Sequence, residues 1–151
     1  MDECGSNTSL QREYARSPRG DLVEDVKRGS KFERTNTVGA RCNGGHYGIE
    51  CYKGATTAEF FEGWFKETLL NEVPNGKGYT IIMDNASFHR KEKLRRIARG
   101  KVRLLFLPPY SPDYNPIEKT WANMKRYLRD NLQNFESVET AIYSYFGVSV
   151  Y

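Results

Sequence analysis

The chain opens on a polar stretch. Residues 1–33 carry turn-forming Ser17-Pro18-Arg19-Gly20 and Gly29 and no long periodic signal. Residues 34–53 alternate weakly between apolar and polar, with Gly39, Gly44, Gly45 and Gly48 as punctuation. That pattern predicts two strands, near 35–41 and 47–52, joined by a Cys42-Asn43-Gly44-Gly45 turn. A helix follows. Thr56 or Thr57 is a good N-cap, Glu59 is a first-turn acid, and Phe60, Phe61, Trp64, Phe65, Leu69 and Leu70 recur at helical spacing. Pro74-Asn75-Gly76 stops it.

Residues 79–83 form a short apolar run that ends at Asp84-Asn85, as a strand buried on both faces does. Residues 89–99 make a basic helix with Leu94, Ile97 and Ala98 on one side, ended by Gly100. Residues 102–107 read as a second buried-type strand, stopped by Pro108-Pro109. A proline-rich loop leads to two helices, about 116–131 with Pro116 at N1, and about 137–146. Ile117, Trp121, Met124 and Leu128 are spaced as a core face. Hairpin strands followed by βαβ units predict a mixed α/β sheet flanked by helices.

Composition narrows the class. The 151 residues fit one domain, 1–151, with room for a core. No stretch approaches the roughly 18 apolar residues of a membrane span, and the acidic start lacks a signal-peptide core. Cys4, Cys42 and Cys51 are odd in number and lack CxxC spacing, so a reducing cytoplasm is the simplest setting. His46, in a Gly-Gly turn, reads as solvated. A formal charge of +4 permits nucleic acid as a partner without demanding it.

Three acids stand out. Asp84 ends an apolar strand, where sites in open α/β sheets collect. Glu118 lies in the first turn of a helix behind a rigid proline loop, and Asp2 lies at the start. Converging carboxylates suit a pair of Mg²⁺ ions, and such a pair can activate water and stabilise a leaving oxygen in phosphodiester cleavage. Each acid also has a plainer reading: a strand-end cap for Asp84, a helix-dipole partner for Glu118, a frayed terminus for Asp2.

The blocks Asp84-Asn85-Ala86-Ser87-Phe88-His89 and Leu107-Pro108-Pro109-Tyr110-Ser111-Pro112-Asp113-Tyr114-Asn115-Pro116-Ile117-Glu118 closely resemble the DDE transposases of the IS630/Tc1/mariner superfamily. The 33 residues between Asp84 and Glu118 fit that family's spacing. Trp121 and Lys125, and Asp2-Glu3-Cys4-Gly5 as a first-acid block, also look like the family. The resemblance covers essentially the whole chain. It implies an RNase H-like (ribonuclease H/integrase) fold and metal ligation by the catalytic acids Asp2, Asp84 and Glu118, with two Mg²⁺ or Mn²⁺ ions. It further implies cleavage of double-stranded DNA at transposon ends, strand transfer into target DNA, a homodimer, and a bacterial cytoplasmic, nucleoid-associated location.

Supporting residues follow from that reading. Asn85 either fixes the turn after the strand or hydrogen-bonds a ligand or phosphate. His89 either touches DNA, orients a carboxylate, or is satisfied by local backbone. Asn115 and Pro116 shape the loop that presents Glu118. Arg90, Lys91, Lys93, Arg95, Arg96 and Arg99 form a basic run, joined by Lys119 and Lys125. These are candidate DNA contacts or a solvated helix face.

Two departures from the family shape the expectation. The family's helix-turn-helix region is expected to be absent from this chain. Only Met1 precedes Asp2, whereas a strand needs about five residues, so the first central strand is expected to be missing or vestigial. The chain then reads as the downstream part of an interrupted or frameshifted transposase gene. The alternative to an active enzyme is an inactive remnant that binds DNA or a full-length transposase.

Overall fold

The computed structural model describes residues 1–7, 34–73, 78–109 and 111–148. The predicted stop at Pro74-Asn75-Gly76 and the turns at 17–20 and 29 lie outside the described residues. Strands β1 (Asp2–Asn7), β2 (Arg34–Cys42) and β3 (Gly45–Lys53) form an antiparallel sheet in the order β1-β2-β3. Strands β4 (Thr80–Met83) and β5 (Arg103–Phe106) pair in parallel. The helices are α1 (Ala58–Trp64), α2 (Leu70–Glu72), α3 (Lys91–Ala98), α4 (Ile117–Asn131) and α5 (Val138–Phe146).

The β2–β3 hairpin closes on Asn43 and Gly44, with φ of 48° and 84°. An Asn-Gly pair accepts two positive φ values at little cost, and that twist matches the flanking strands. Thr57 caps α1 by accepting a hydrogen bond from Phe60 N–H. A π-helical segment, Phe65–Leu69, links α1 to α2 and keeps Phe65 and Leu69 buried. Gly48 lets this helix approach β3: a Cβ there would meet the Trp64 ring at 3.1 Å and Leu69 at 3.3 Å, and Gly48 O accepts from Trp64 Nε1 at 2.8 Å.

Two apolar clusters result. Phe61, Phe65, Leu69, Met83 and Leu94 pack with Met1 and Val38. Ile117, Trp121, Met124, Leu128 and Ile142 pack with Cys4. The predicted core face of α4 is therefore buried as expected. Met1 and Cys4 point into different clusters because side chains alternate across a strand. Each large apolar side chain so buried contributes roughly 1.5–3 kcal/mol. Ser137 and Thr140 form a reciprocal capping box on α5, and Gly147 ends it at φ 67°.

Several expectations are corrected. The first acid does not end a central strand: β1 runs onward from Asp2 at the edge of its sheet and pairs with β2 from Asp2↔Gly39 to Asn7↔Arg34. Asp2 thus begins its strand. The mixed sheet is split in two, β1-β2-β3 and β4-β5, and β2 residues Ala40, Arg41 and Cys42 run past the β1 pairing, which stops at Gly39. Met1 N bridges the gap, donating to Ile82 O at 2.8 Å. An apolar cavity of about 140 Å³, lined by Met1, Ala40, Leu69 and Ile81, lies at this junction. β5 is not buried on both faces. It is the outer strand, Leu105 is 50% exposed, and only Leu104 and Phe106 pack on the core. Within β4, Ile81 and Met83 are buried while Thr80 is exposed and Ile82 half-buried. The basic helix starts at Lys91, since His89 and Arg90 complete the preceding turn. Pro116 is the residue before α4 rather than its first. His46 is half-buried edge-on to Phe146, and burial lowers its pKa.

Candidate active site

Asp84 directly follows β4. Its Oδ1 accepts from Ala86 N–H at 3.2 Å, a turn that aspartate makes with its own backbone. His89 Nδ1 lies 3.1 Å from the same oxygen and 3.3 Å from Asp84 O. The His89 hydrogen bond, joined by the Ala86 N–H, lowers the Asp84 pKa despite partial burial. Burial opposes charging His89, but hydrogen bonds to Asp84 and Glu3 outweigh it and raise its pKa to about 9. His89 is therefore an imidazolium near neutral pH.

The other acids reach the same place from distant elements. Asn115 is buried and donates from Nδ2 to Met1 O at 3.2 Å, while its own carbonyl accepts from Glu118 N–H at 3.1 Å. One residue thus ties the start of β1, next to Asp2, to the start of α4, which carries Glu118. Arg41 Nη1 donates to Pro116 O at 3.4 Å on the outer side of this junction. Asp2, Asp84 and Glu118 line one cavity of about 370 Å³, walled by Asn85, Leu107, Pro108, Pro109 and Asn115. Burial, together with the charges of Glu3, Glu118 and Asp84, raises the Asp2 pKa to about 7.

The donor set fits a hard divalent cation. It is all oxygen, it has room for retained waters, and its mutual repulsion would be relieved by positive charge. Among the described residues, no three His, Cys, Asp or Glu side chains converge closely enough to enclose a single ion. The acids share a cavity rather than a closed cage.

The basic run divides into two groups. Arg90 pairs with Glu59, and Lys93 holds the buried Glu62 at 2.6 Å. Arg95 pairs with Glu92 at 2.5 Å. Lys91 and Arg95 also lie over the Phe106 ring, at 5.3 and 5.5 Å from its centroid. Arg96 and Arg99 are exposed and have no carboxylate partner among the described residues. A shallow depression lined by Ser87, Arg90, Lys93 and Arg96 shares Asn85 and Ala86 with the acid cavity. Lys119 is exposed beside Glu118, and Lys125 is half-buried beside the Cys4 thiol.

Sequence reasoning missed three contributors. Glu3 reaches His89, Glu62 anchors Lys93, and Phe61 packs tilted against the His89 ring, 4.3 Å between centroids. Adjacency to Asp2 was a signal for Glu3. The helical period marked Phe61 only as core, and Glu62 carried no signal.

The description "DDE superfamily endonuclease" matches residues 1–142. The chain belongs to that family, whose members act on DNA as transposase-like nucleases. It is also 37% identical over 59 residues to "Uncharacterized protein y4pE/y4sA" of Sinorhizobium fredii (strain NBRC 101917 / NGR234). That stretch covers 39% of this chain and 39% of that protein. Among the described residues, no helix is long and apolar enough to cross a membrane.

Proposed function

We propose that this chain is a catalytic domain of the IS630/Tc1/mariner type, with an RNase H-like core. It would cleave DNA phosphodiesters at transposon ends and transfer strands into target DNA. The observation that carries this reading is the shared cavity of Asp2, Asp84 and Glu118, brought together from β1, the end of β4 and α4. Asp2, Asp84 and Glu118 would hold the divalent ions. When bound, Mg²⁺ or Mn²⁺ supplies charge neutralisation at the attacking and leaving oxygens of an in-line displacement. The chain's own residues position the acids. Asn115 sets Asp2 against Glu118, and the Ala86 amide sets Asp84. The basic depression beside the cavity suits a phosphate backbone, with Arg96 as a lining cation that has no carboxylate partner among the described residues.

One observation favours the second reading, a remnant that binds DNA or a full-length transposase without catalysis: the three acids do not close around one ion. Supercoiled plasmid incubated with purified protein and Mg²⁺ or Mn²⁺ separates the two. Nicking by wild type, abolished in Asp84→Asn, is the expected result. A folded sample that nicks nothing with either metal refutes the enzyme and leaves the remnant.

A further inference from the structure

The two strands that carry Asp2 and Asp84 belong to different sheets, so the backbone ladder alone does not set their separation. One side chain spans them. His89 is fully buried, with Nδ1 3.1 Å from Asp84 Oδ1 and Nε2 3.5 Å from Glu3 Oε1. The ring is wedged between Phe61 and Phe88, at 4.3 and 4.7 Å between centroids. Nε2 and Glu3 Oε1 are both buried, face each other at 3.5 Å as a charge pair, and have no hydrogen-bond partner among the described residues. An imidazole has a fixed distance between its nitrogens, and the aromatic walls prevent it from tilting away. Asp84 Oδ1 is taken by His89 and the Ala86 amide, which leaves Oδ2 for the cavity.

We infer that His89 is a positioning residue that fixes the Asp84 carboxylate for divalent-ion binding, with Glu3 on β1 as the anchor that fixes His89. This rests on the metal-site reading proposed above. Glu3, the neighbour of Asp2, turns the brace into a spacer: it holds the first-acid strand at a set distance from the second acid. A histidine that merely filled the core would need no carboxylate at either nitrogen.

Three variants separate the roles. His89→Asn keeps a donor at the Nδ1 position and loses Nε2. His89→Gln keeps a donor near Nε2 and loses the bond to Asp84. His89→Phe keeps a ring and loses both. The readout is Mn²⁺ affinity, followed by the electron paramagnetic resonance signal of free Mn²⁺, with circular dichroism to confirm folding. Residues that orient metal ligands typically change affinity by about 10–100-fold. The His89→Phe variant is expected to lose affinity in that range, as is His89→Gln. His89→Asn, which keeps a donor to Asp84 but loses the anchor on Glu3, is expected to fall between wild type and His89→Gln. Equal affinity in wild type and folded His89→Gln overturns the inference. Should His89→Phe not fold, the Asn-versus-Gln comparison carries the test alone. If Asp84→Asn binds Mn²⁺ as wild type does, the metal-site reading itself fails, which is a different result.

Discussion

Asp2 offers the sharpest test of the site's electrostatics, through the substitution Asp2→Asn in metal-free protein. Burial and three neighbouring acids hold its folded-state pKa at about 7, against 3.8 for an unperturbed aspartate. Folding therefore favours the protonated carboxyl. The stability this contributes is fully present below about pH 4 and is lost as pH rises through about 7. By linkage, a displacement of that size corresponds to a penalty on the order of 4 kcal/mol once the group is ionised. The neutral amide escapes it. Urea unfolding in EDTA, followed by tryptophan fluorescence, is the assay. At pH 8 Asp2→Asn is expected to unfold at a higher urea concentration, by about 1–2 M for a typical urea slope. At pH 4 the two proteins are expected to coincide. His89 and Asp84 titrate in both, so the difference isolates Asp2. Saturating Mn²⁺ should then stabilise wild type more than the variant, since ligand binding to the native state adds stability. Wild type as stable as Asp2→Asn at pH 8 without metal would refute the reasoning.

Further outcomes follow from the braces around the cavity. Asn115→Ala leaves the buried Met1 carbonyl without its donor, so stability is expected to fall by about 1–3 kcal/mol in urea titration. A loss under about 0.5 kcal/mol would show that the bond between the loop and β1 contributes nothing. The two halves of the basic run should respond differently. Lys93→Ala strips the buried Glu62 of its 2.6 Å partner and is expected to lower stability by about 1–3 kcal/mol, discounted because Lys93 is half-exposed. Arg96→Ala is expected to leave stability unchanged but to weaken DNA binding and flatten its salt dependence by about one charge, measured by fluorescence anisotropy across a salt series.

The legible parts of the fold were those written locally. The Asn43-Gly44 turn, the Thr57 cap and the core stripe of α4 each depend on neighbours within a few residues, and each is where the chain pattern predicts it. β5 was misread because its apolar run looks the same whether one face or both are covered. Only its position outside β4 exposes Leu105. β1 was misread for a different reason: its residues, Asp2-Glu3-Cys4-Gly5-Ser6-Asn7, carry no strand-like composition. Pairing with β2 and the burial of Cys4 and Ser6 hold them extended.

The sequence by itself determined the three acids as candidates, the place of Asp84 at a strand end and of Glu118 at a helix start, and the family to which the chain belongs. Local propensity and motif spacing suffice for that, because both are properties of contiguous residues. Only the tertiary structure decided how those acids are held. Asn115 meets the Met1 carbonyl across 114 residues, and His89 joins Asp84 to Glu3 between two sheets that barely share a backbone bond. Such contacts are chosen by packing and chain closure, and no short window of sequence encodes them.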